Sequence, residues 1–264
     1  MNPHALAALD ANYLDANRIF MAVSDSGEYV ERRDVALACC GLPVQLLNFG
    51  FLKPPWPDLA ATADAVRAYF APRRLPFQLT FRDPDARRPA RALAPAGWRE
   101  AGDPTPGMTL AVPDEVPAPP AGLAIREVRT PELLAGFGAT AFRGFGYPEA
   151  MAPRFLNERL LALPQVRLYA GLVDGAVVST SMLIASGAVA GIYWVATLEG
   201  HRGRGYGEAL TWAATAGGRE FRCRIASLQA SRLGRPVYAR MGFAHVLDYE
   251  HLLLPEPAPT PNVS

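Results

Sequence analysis

The sequence predicts an α/β protein of the α+β type, in which helices flank a mixed, mostly antiparallel sheet. Of the 264 residues, 50% are hydrophobic and 19% are charged, so the chain can build a sizeable core and is not a disordered protein. A proline-rich run at residues 113–122 reads as a stiff linker, and it separates residues 1–112 from residues 123–254. The second part contains a three-strand meander followed by a helical crossover, which predicts the mixed sheet.

Elements in the second part have clear boundaries. Pro131 stands where the first turn of a helix tolerates proline, and Asp174-Gly175 is a hairpin turn between apolar runs. The predicted strands are 123–128, 166–173, 176–185, 189–198, 225–230 and 244–254, and the predicted helices are 131–142, 149–163, 208–221 and 235–241.

The first part has a less distinct pattern. Its predicted elements are apolar strands between 35 and 51, a helix at 59–70, a strand at 75–81, a short helix at 88–94 and a strand at 108–112. The order Arg88-Pro89 then Gly97-Trp98 echoes Arg235-Pro236 then Gly242-Phe243. We therefore interpret residues 1–112 as a degenerate copy of the unit at 123–254, with an unrelated cap domain as the alternative. Residues 255–264 are expected to form a flexible tail.

Composition excludes several classes of protein. The 26 basic and 25 acidic residues nearly cancel, which does not support binding of nucleic acid through global charge. Three cysteines, two of them adjacent, cannot make a disulfide framework, and no pair has metal-ligand spacing. The uncharged stretch 175–198 is long enough to span a membrane, but Gly187 and its β-branched residues favour two strands. We expect a cytoplasmic monomer or homodimer without a metal, and the bias for arginine over lysine is typical of a GC-rich bacterial genome.

A glycine-rich loop at 200–207 is the most informative local feature. Gly203, Gly205 and Gly207 allow unusual φ values and a close approach of the backbone to a ligand. The helix that follows offers unpaired N–H groups, and Arg202 and Arg204 add charge-assisted donors, so the loop suits a phosphate or pyrophosphate. The spacing is neither that of a dinucleotide fingerprint nor that of a P-loop.

The segment from Arg202 to Gly207 resembles the R-x-x-G-x-G motif of the GCN5-related N-acetyltransferase (GNAT) family. Residues 195–198, ahead of it, look like the fourth strand of that family. Downstream, residues 228–231 and 237–243 are similar to its fifth strand and its Y-x-x-x-G-F helix ending. The resemblance covers residues 123–254, and there it implies the GNAT fold.

What the resemblance implies is binding of acetyl-CoA between the splayed fourth and fifth strands. Backbone groups of the fourth strand would pair with the pantetheine arm, and the loop would hold the pyrophosphate. The residues expected to bind the cofactor are Val195, Ala196, Thr197, Arg202, Gly203, Arg204, Gly205, Tyr206, Gly207, Glu208 and Ser231. Tyr238 would protonate the leaving thiolate as a general acid, and its alternative role is a half-buried packing residue.

The sequence departs from the family pattern at the general base. Many relatives carry a carboxylate on the fourth strand, but residues 189–198 contain none. Glu199 and His201 are the candidate bases, and each is otherwise a solvated loop residue. Because an amine can also lose its proton to a water chain, no base residue is strictly required. Ser231 stands where the family often has Asn, and it either bonds the cofactor or caps the next helix.

The acceptor side is expected between the first two helices of the second part. Phe142, Phe145 and Tyr147 would wall an amine substrate, and Arg143 would hold a carboxylate, whereas the alternative is a simply packed loop. The predicted function is transfer of acetyl from acetyl-CoA to an amine of a small molecule or peptide. A non-catalytic acyl-CoA sensor and an anion- or nucleotide-binding scaffold remain as alternatives.

Overall fold

The structure is a computed structural model that describes residues 3–56, 58–82 and 88–254, with side chains from residue 6 onward. The described helices are α1 Pro3–Val23, α2 Leu59–Phe70, α3 Arg88–Leu93, α4 Pro131–Gly144, α5 Tyr206–Gly217 and α6 Arg235–Arg240. The described strands are β1 Glu28–Glu31, β2 Val35–Cys39, β3 Asn48–Leu52, β4 Gln78–Arg82, β5 Arg99–Glu100, β6 Thr105–Ala111, β7 Ala124–Glu127, β8 Val166–Val173, β9 Ala176–Ser186, β10 Val189–Thr197, β11 Ile225–Gln229 and β12 Ala244–Leu253.

These strands form one mixed sheet, which confirms the predicted fold class. The order is β1-β2-β3-β4-β12-β6-β11-β10-β9-β8-β7, and the short β5 pairs with β12. The pairs β3–β4 and β10–β11 are parallel, and all other pairs of adjacent strands in this order are antiparallel.

The two sequence parts exchange their last strands at the centre of the sheet. Strand β6, the last of the first part, pairs with β11 of the second part. Strand β12, the last of the second part, pairs with β4 of the first part. Read inward from either edge, the sheet therefore shows antiparallel strands, one parallel pair and then a strand from the other part. The two parts share one sheet and are not separate units joined only by the linker.

Helix α1 packs against both parts. It contacts β1 and β2 of the first part and β9 and β10 of the second part. The largest apolar core accordingly combines residues of both parts, such as Phe20, Phe49 and Phe137. A second core, containing Ala190 and Ala214, joins β10 and β11 to α5. Strand β10 is thus in contact with α1 of the first part and with α4 and α5 of the second part.

Most predicted elements are confirmed, and the differences have local causes. The helix predicted over 149–163 is instead two 3-10 helices, Glu149–Arg154 and Glu158–Ala162, because Pro153 lacks a donor and Asn157 caps the second one. Helix α5 starts at Tyr206, two residues before its predicted start at 208. Helix α1 and strand β1 were not predicted.

The uncharged stretch 175–198 forms the hairpin of β9 and β10, as predicted. In the described parts of the chain, no helix is long and apolar enough to cross a membrane. The tail predicted at 255–264 lies outside the described residues.

Candidate active site

Strands β10 and β11 separate to form a wedge. Their parallel pairing joins Val189–Gly191 to Ile225–Ser227 and ends there, although β10 continues to Thr197 and β11 to Gln229. Beyond Gly191 the edge of β10 that faces β11 therefore offers backbone groups to a ligand. The corresponding parallel pair of the first part, β3–β4, stays joined up to the last residue of β3, Leu52. Only the second part opens such a wedge within the described sheet.

A β-bulge reshapes β10 at this wedge. The pairing with β9 shifts between Tyr193 and Ala196, and Trp194 has a φ of +52°. Two buried hydroxyl groups of β9 hold the bulge: Thr180 donates to the carbonyl of Trp194 at 2.8 Å, and Ser179 donates to that of Ala196 at 2.9 Å. Since carbonyls alternate sides along a strand, those bonds toward β9 leave the backbone of Val195 directed at the wedge. Sequence reasoning had missed Ser179, Thr180 and Trp194, because nothing in the local pattern marks a bulge.

The glycine-rich loop ends at the N-terminus of α5. Gly205 is the N-cap residue with a φ of +77°, and no side chain caps the helix there. The first N–H groups of a helix have no intrahelical partner, so those of the first turn can bind an anion. Gly207 brings this turn against β10, because a Cβ at Gly207 would lie 3.2 Å from the hydroxyl of Thr197. The anion site and the wedge are therefore adjacent.

Charged side chains around the loop have different roles. Arg202 is exposed, and its Nε donates to the carbonyl of Thr197 at 3.1 Å, which ties the loop to the end of β10. Arg204 is exposed beside the anion site. Glu208 lies in the first turn of α5, where its N–H suits a phosphate but its carboxylate repels one.

The proline-rich linker runs along α5. Arg219, just after the end of α5, donates to the carbonyls of Pro113 and Asp114. At the other end of the helix, Pro120 is 3.4 Å from the position that a Cβ on Gly205 would occupy. The linker thus forms one side of the anion site, which its composition alone did not indicate.

Tyr238 lies on α6 and is 8% exposed. Burial raises the pKa of its hydroxyl to about 12, and a hydrogen bond with the side chain of Thr211 acts in the opposite direction. Thr211 also donates to the carbonyl of Gly207 at 2.8 Å. The tyrosine therefore reaches the first turns of α5 and keeps its proton at neutral pH.

The candidate bases and Ser231 occupy the ends of these elements. Glu199 is exposed. His201 is half-buried beside the ring of Tyr206, and its Nδ1 is buried without a hydrogen-bond partner among the described residues. The hydroxyl of Ser231 accepts from the N–H of Gly234 at 3.1 Å, so it closes the turn before α6, whose N-cap residue is Gly234 without a side-chain cap.

The predicted acceptor residues divide into core and surface. Phe142 is fully buried and stacks on Trp194, so it does not contact an acceptor directly and acts only by supporting that indole. Phe145 is 39% exposed and packs edge-on against Trp194, whereas Tyr147 is half-buried and burial raises its pKa. Arg143 forms an exposed ion pair with Glu149, so its guanidinium is already partnered.

Comparisons with known proteins agree with this geometry. Residues 133–243 match the family model described as the acetyltransferase (GNAT) family. None of the curated proteins compared with the chain matches it.

Several solved structures share the fold over both halves of the chain. A GCN5-related N-acetyltransferase from Kribbella flavida is 22% identical with a TM-score of 0.69, and the match covers 94% of this chain and 96% of that one. A second such protein, from Sphaerobacter thermophilus, is 20% identical with a TM-score of 0.61 over 86% and 75% of the two chains. A tandem GNAT protein from the clavulanic acid biosynthesis pathway is 18% identical with a TM-score of 0.55 over 84% and 79%. The chain therefore has the GNAT fold, and its residues 133–243 match the model of the GNAT acetyltransferase family.

Proposed function

We propose that the protein transfers an acetyl group from acetyl-CoA to an amine of a small molecule or peptide. The observation that carries the proposal is the adjacency of the wedge and the anion site. A ligand with a pyrophosphate at one end and an extended, amide-containing arm at the other fits both at once, and acetyl-CoA has that form. ATP and NAD offer the phosphates but no arm that could pair with the edge of β10.

The binding role of each residue follows from its position. The N–H groups of Tyr206, Gly207 and Glu208 hold the pyrophosphate, with Arg204 beside them. The backbone of Val195 pairs with the pantetheine arm as an added strand would, and places the thioester at the bulge. The carbonyl of Thr197 already accepts from Arg202, so it has less capacity for the arm.

The reaction needs one bond made and one broken. A neutral amine attacks the thioester carbonyl carbon, the C–N bond forms and the C–S bond breaks. The amine proton leaves to water or to the exposed Glu199, because β10 carries no carboxylate at the wedge. The departing thiolate takes a proton from the hydroxyl of Tyr238, which regains it from solvent. Phe145, Tyr147 and the edge of Trp194 form an apolar wall for the acceptor.

Residues 1–112 are, in this proposal, a degenerate GNAT-like copy without a cofactor site. The mirrored strand order and the parallel pair β3–β4 support a common origin with residues 123–254. After β3, the chain passes through Pro54-Pro55-Trp56 to α2, with no glycine loop. A joined pair of strands and a loop without glycine leave no room for a CoA arm.

Thermal unfolding with acetyl-CoA, beside ATP and NAD, tests the proposal. A ligand at about a hundred times its Kd adds about 2.7 kcal/mol of stability, which raises Tm by roughly 5 °C or more. A shift with acetyl-CoA alone is expected, and amines are then screened for thiol release. No shift at saturating acetyl-CoA contradicts the proposal. Binding without thiol release across an amine library favours the sensor alternative.

A further inference from the structure

One buried asparagine of the first part lies directly on the catalytic strand. Asn12, in the middle of α1, is 0% exposed. Its Nδ2 donates to the carbonyl of Ile184 at 3.0 Å and to that of Val189 at 3.5 Å. Its Oδ1 accepts from the hydroxyl of Tyr193 at 2.7 Å. One side chain thus joins the end of β9, the start of β10 and the residue at which the bulge begins.

The position of Asn12 coincides with the point where the wedge opens. Gly191 is the last residue of β10 that pairs with β11, and a Cβ there would lie 2.1 Å from Oδ1 of Asn12. The amide of Asn12 therefore rests on the backbone of Gly191, which only glycine permits. One turn further along α1, Asp15 accepts from the hydroxyl of Ser186 in the same hairpin at 2.5 Å.

A buried amide between a helix and a sheet must lose its bonds to water, which an apolar side chain does not have to do. Burying such a group without hydrogen bonds is destabilising, whereas an apolar side chain carries no such penalty. Here both the donor and the acceptor of Asn12 are used, and each of them holds the β9–β10 hairpin rather than α1 itself. These directional hydrogen bonds fix the position of α1 on the β9–β10 hairpin. An apolar contact alone would let the helix and the hairpin shift relative to each other.

We propose that Asn12 is a positioning residue that sets the splay of β10 and thereby presents the backbone of Val195 to the pantetheine arm. This inference rests on the proposed function. In this proposal the first part of the chain contributes to catalysis, because it holds the cofactor-binding strand of the second part in place without touching the cofactor.

The test separates the two ends of the cofactor. Acetyl-CoA uses both the wedge and the anion site, whereas adenosine 3′,5′-bisphosphate has no pantetheine arm and does not reach the wedge. Isothermal titration of the full chain with both probes is done for the wild type, Asn12→Leu and Tyr193→Phe. The expected result is a Kd for acetyl-CoA that rises about tenfold in both variants, while the Kd for the bisphosphate stays within twofold.

Asn17→Leu is the matched control. Asn17 is also a buried asparagine of α1, but its Nδ2 donates to the carbonyl of Tyr13 within the same helix. Its replacement is expected to leave the ratio of the two Kd values unchanged. The double variant Asn12→Leu with Tyr193→Phe is expected to bind acetyl-CoA no more weakly than Asn12→Leu alone, because both changes remove the same bond.

Two outcomes overturn the inference. If the variants bind both probes as the wild type does, or weaken both in parallel, Asn12 is only a packing residue. If wild-type protein binds the bisphosphate but gains nothing from the acetyl-pantetheine arm, the proposed function fails and the inference fails with it. Circular dichroism of each variant at the titration temperature confirms that the comparison is made on folded protein.

Discussion

The indole of Trp194 stacks on the ring of Phe142, with centroids 5.4 Å apart and planes inclined by 7°. Phe20, Phe145 and Phe155 pack around the same indole. This packing holds Trp194 at a φ of +52°, a conformation that costs a bulky residue about 1–3 kcal/mol. The bulge that shapes the wedge is therefore stabilised by aromatic contacts. In the proposed function, Trp194 would link the cofactor wedge to the acceptor wall.

Replacement of Trp194 tests the strained bulge, because the expected order of stability of the alanine and glycine variants is the reverse of the usual one. Trp194→Ala is expected to lower the free energy of unfolding by about 3–5 kcal/mol, because it empties a buried aromatic site. In a strand, glycine is normally less stable than alanine by about 0.5–1 kcal/mol. At this positive φ we expect the reverse, with Trp194→Gly at least as stable as Trp194→Ala in urea denaturation. Alanine that is clearly more stable than glycine would contradict the strained bulge.

Gly205 is predicted to be indispensable for cofactor binding. Gly205→Val places a β-branched side chain at a φ of +77°, where it also contacts Pro120 and blocks the approach of a pyrophosphate. Binding of acetyl-CoA is expected to be lost, so that the ligand no longer raises Tm. Gly200→Ala is the control, since a Cβ there meets open space and its φ is not positive. Retained binding in Gly205→Val would remove the loop from the cofactor site.

The local sequence pattern predicted the elements around the site, but it did not predict how distant strands pair. The run from β10 through the loop to α5 could be read from sequence because its apolar strand, glycines and helix are contiguous. The exchange of β6 and β12 was not predicted, because a strand's sequence does not say which neighbour it joins. Helix α1 was missed for a related reason: Asn12 and Asn17 are poor helix formers. Inside the helix, Asn12 is held by tertiary hydrogen bonds to the β9–β10 hairpin, and Asn17 by a bond to the carbonyl of Tyr13 within α1.

His251 is predicted to make stability depend on pH. It lies on β12 between Thr80 and Thr105, with ring nitrogens 3.0 Å from each hydroxyl, and burial lowers its pKa to about 4. In the unfolded chain a histidine titrates near 6.5, so between those values the unfolded state binds more protons. The free energy of unfolding is therefore expected to fall by up to roughly 3 kcal/mol as the pH drops from 7 to 4.

Denaturation at pH 7 and pH 5 checks this dependence on His251. His251→Gln is expected to lose less stability between these two pH values than the wild type, because it has no group to protonate. His245→Gln serves as the control, since His245 lies on the same strand but is exposed. Equal slopes for the two variants would assign the acid sensitivity to other groups.

Tyr238 is predicted to act in turnover and not in binding. Tyr238→Phe should leave the Kd for acetyl-CoA within twofold and lower kcat on the order of 10²-fold, the usual range for loss of a general acid. Tyr169→Phe is the matched control: burial also raises the pKa of Tyr169 to about 12, but this residue lies on β8 against Gly217, away from the wedge. It should turn over like the wild type.

The pH dependence of turnover tests the same assignment independently. A general acid works in its protonated form, and the raised pKa of Tyr238, about 12, keeps the hydroxyl protonated up to well above pH 10. As the pH rises from 6 to 9, deprotonation of the amine acceptor should therefore increase kcat/KM, with no descending limb in this range. A descending limb near pH 8 that disappears in Tyr238→Phe would mean that the tyrosine ionises at neutral pH, and unchanged kcat in that variant would remove it from the mechanism. If the limb persists in Tyr238→Phe, the group that ionises is not Tyr238.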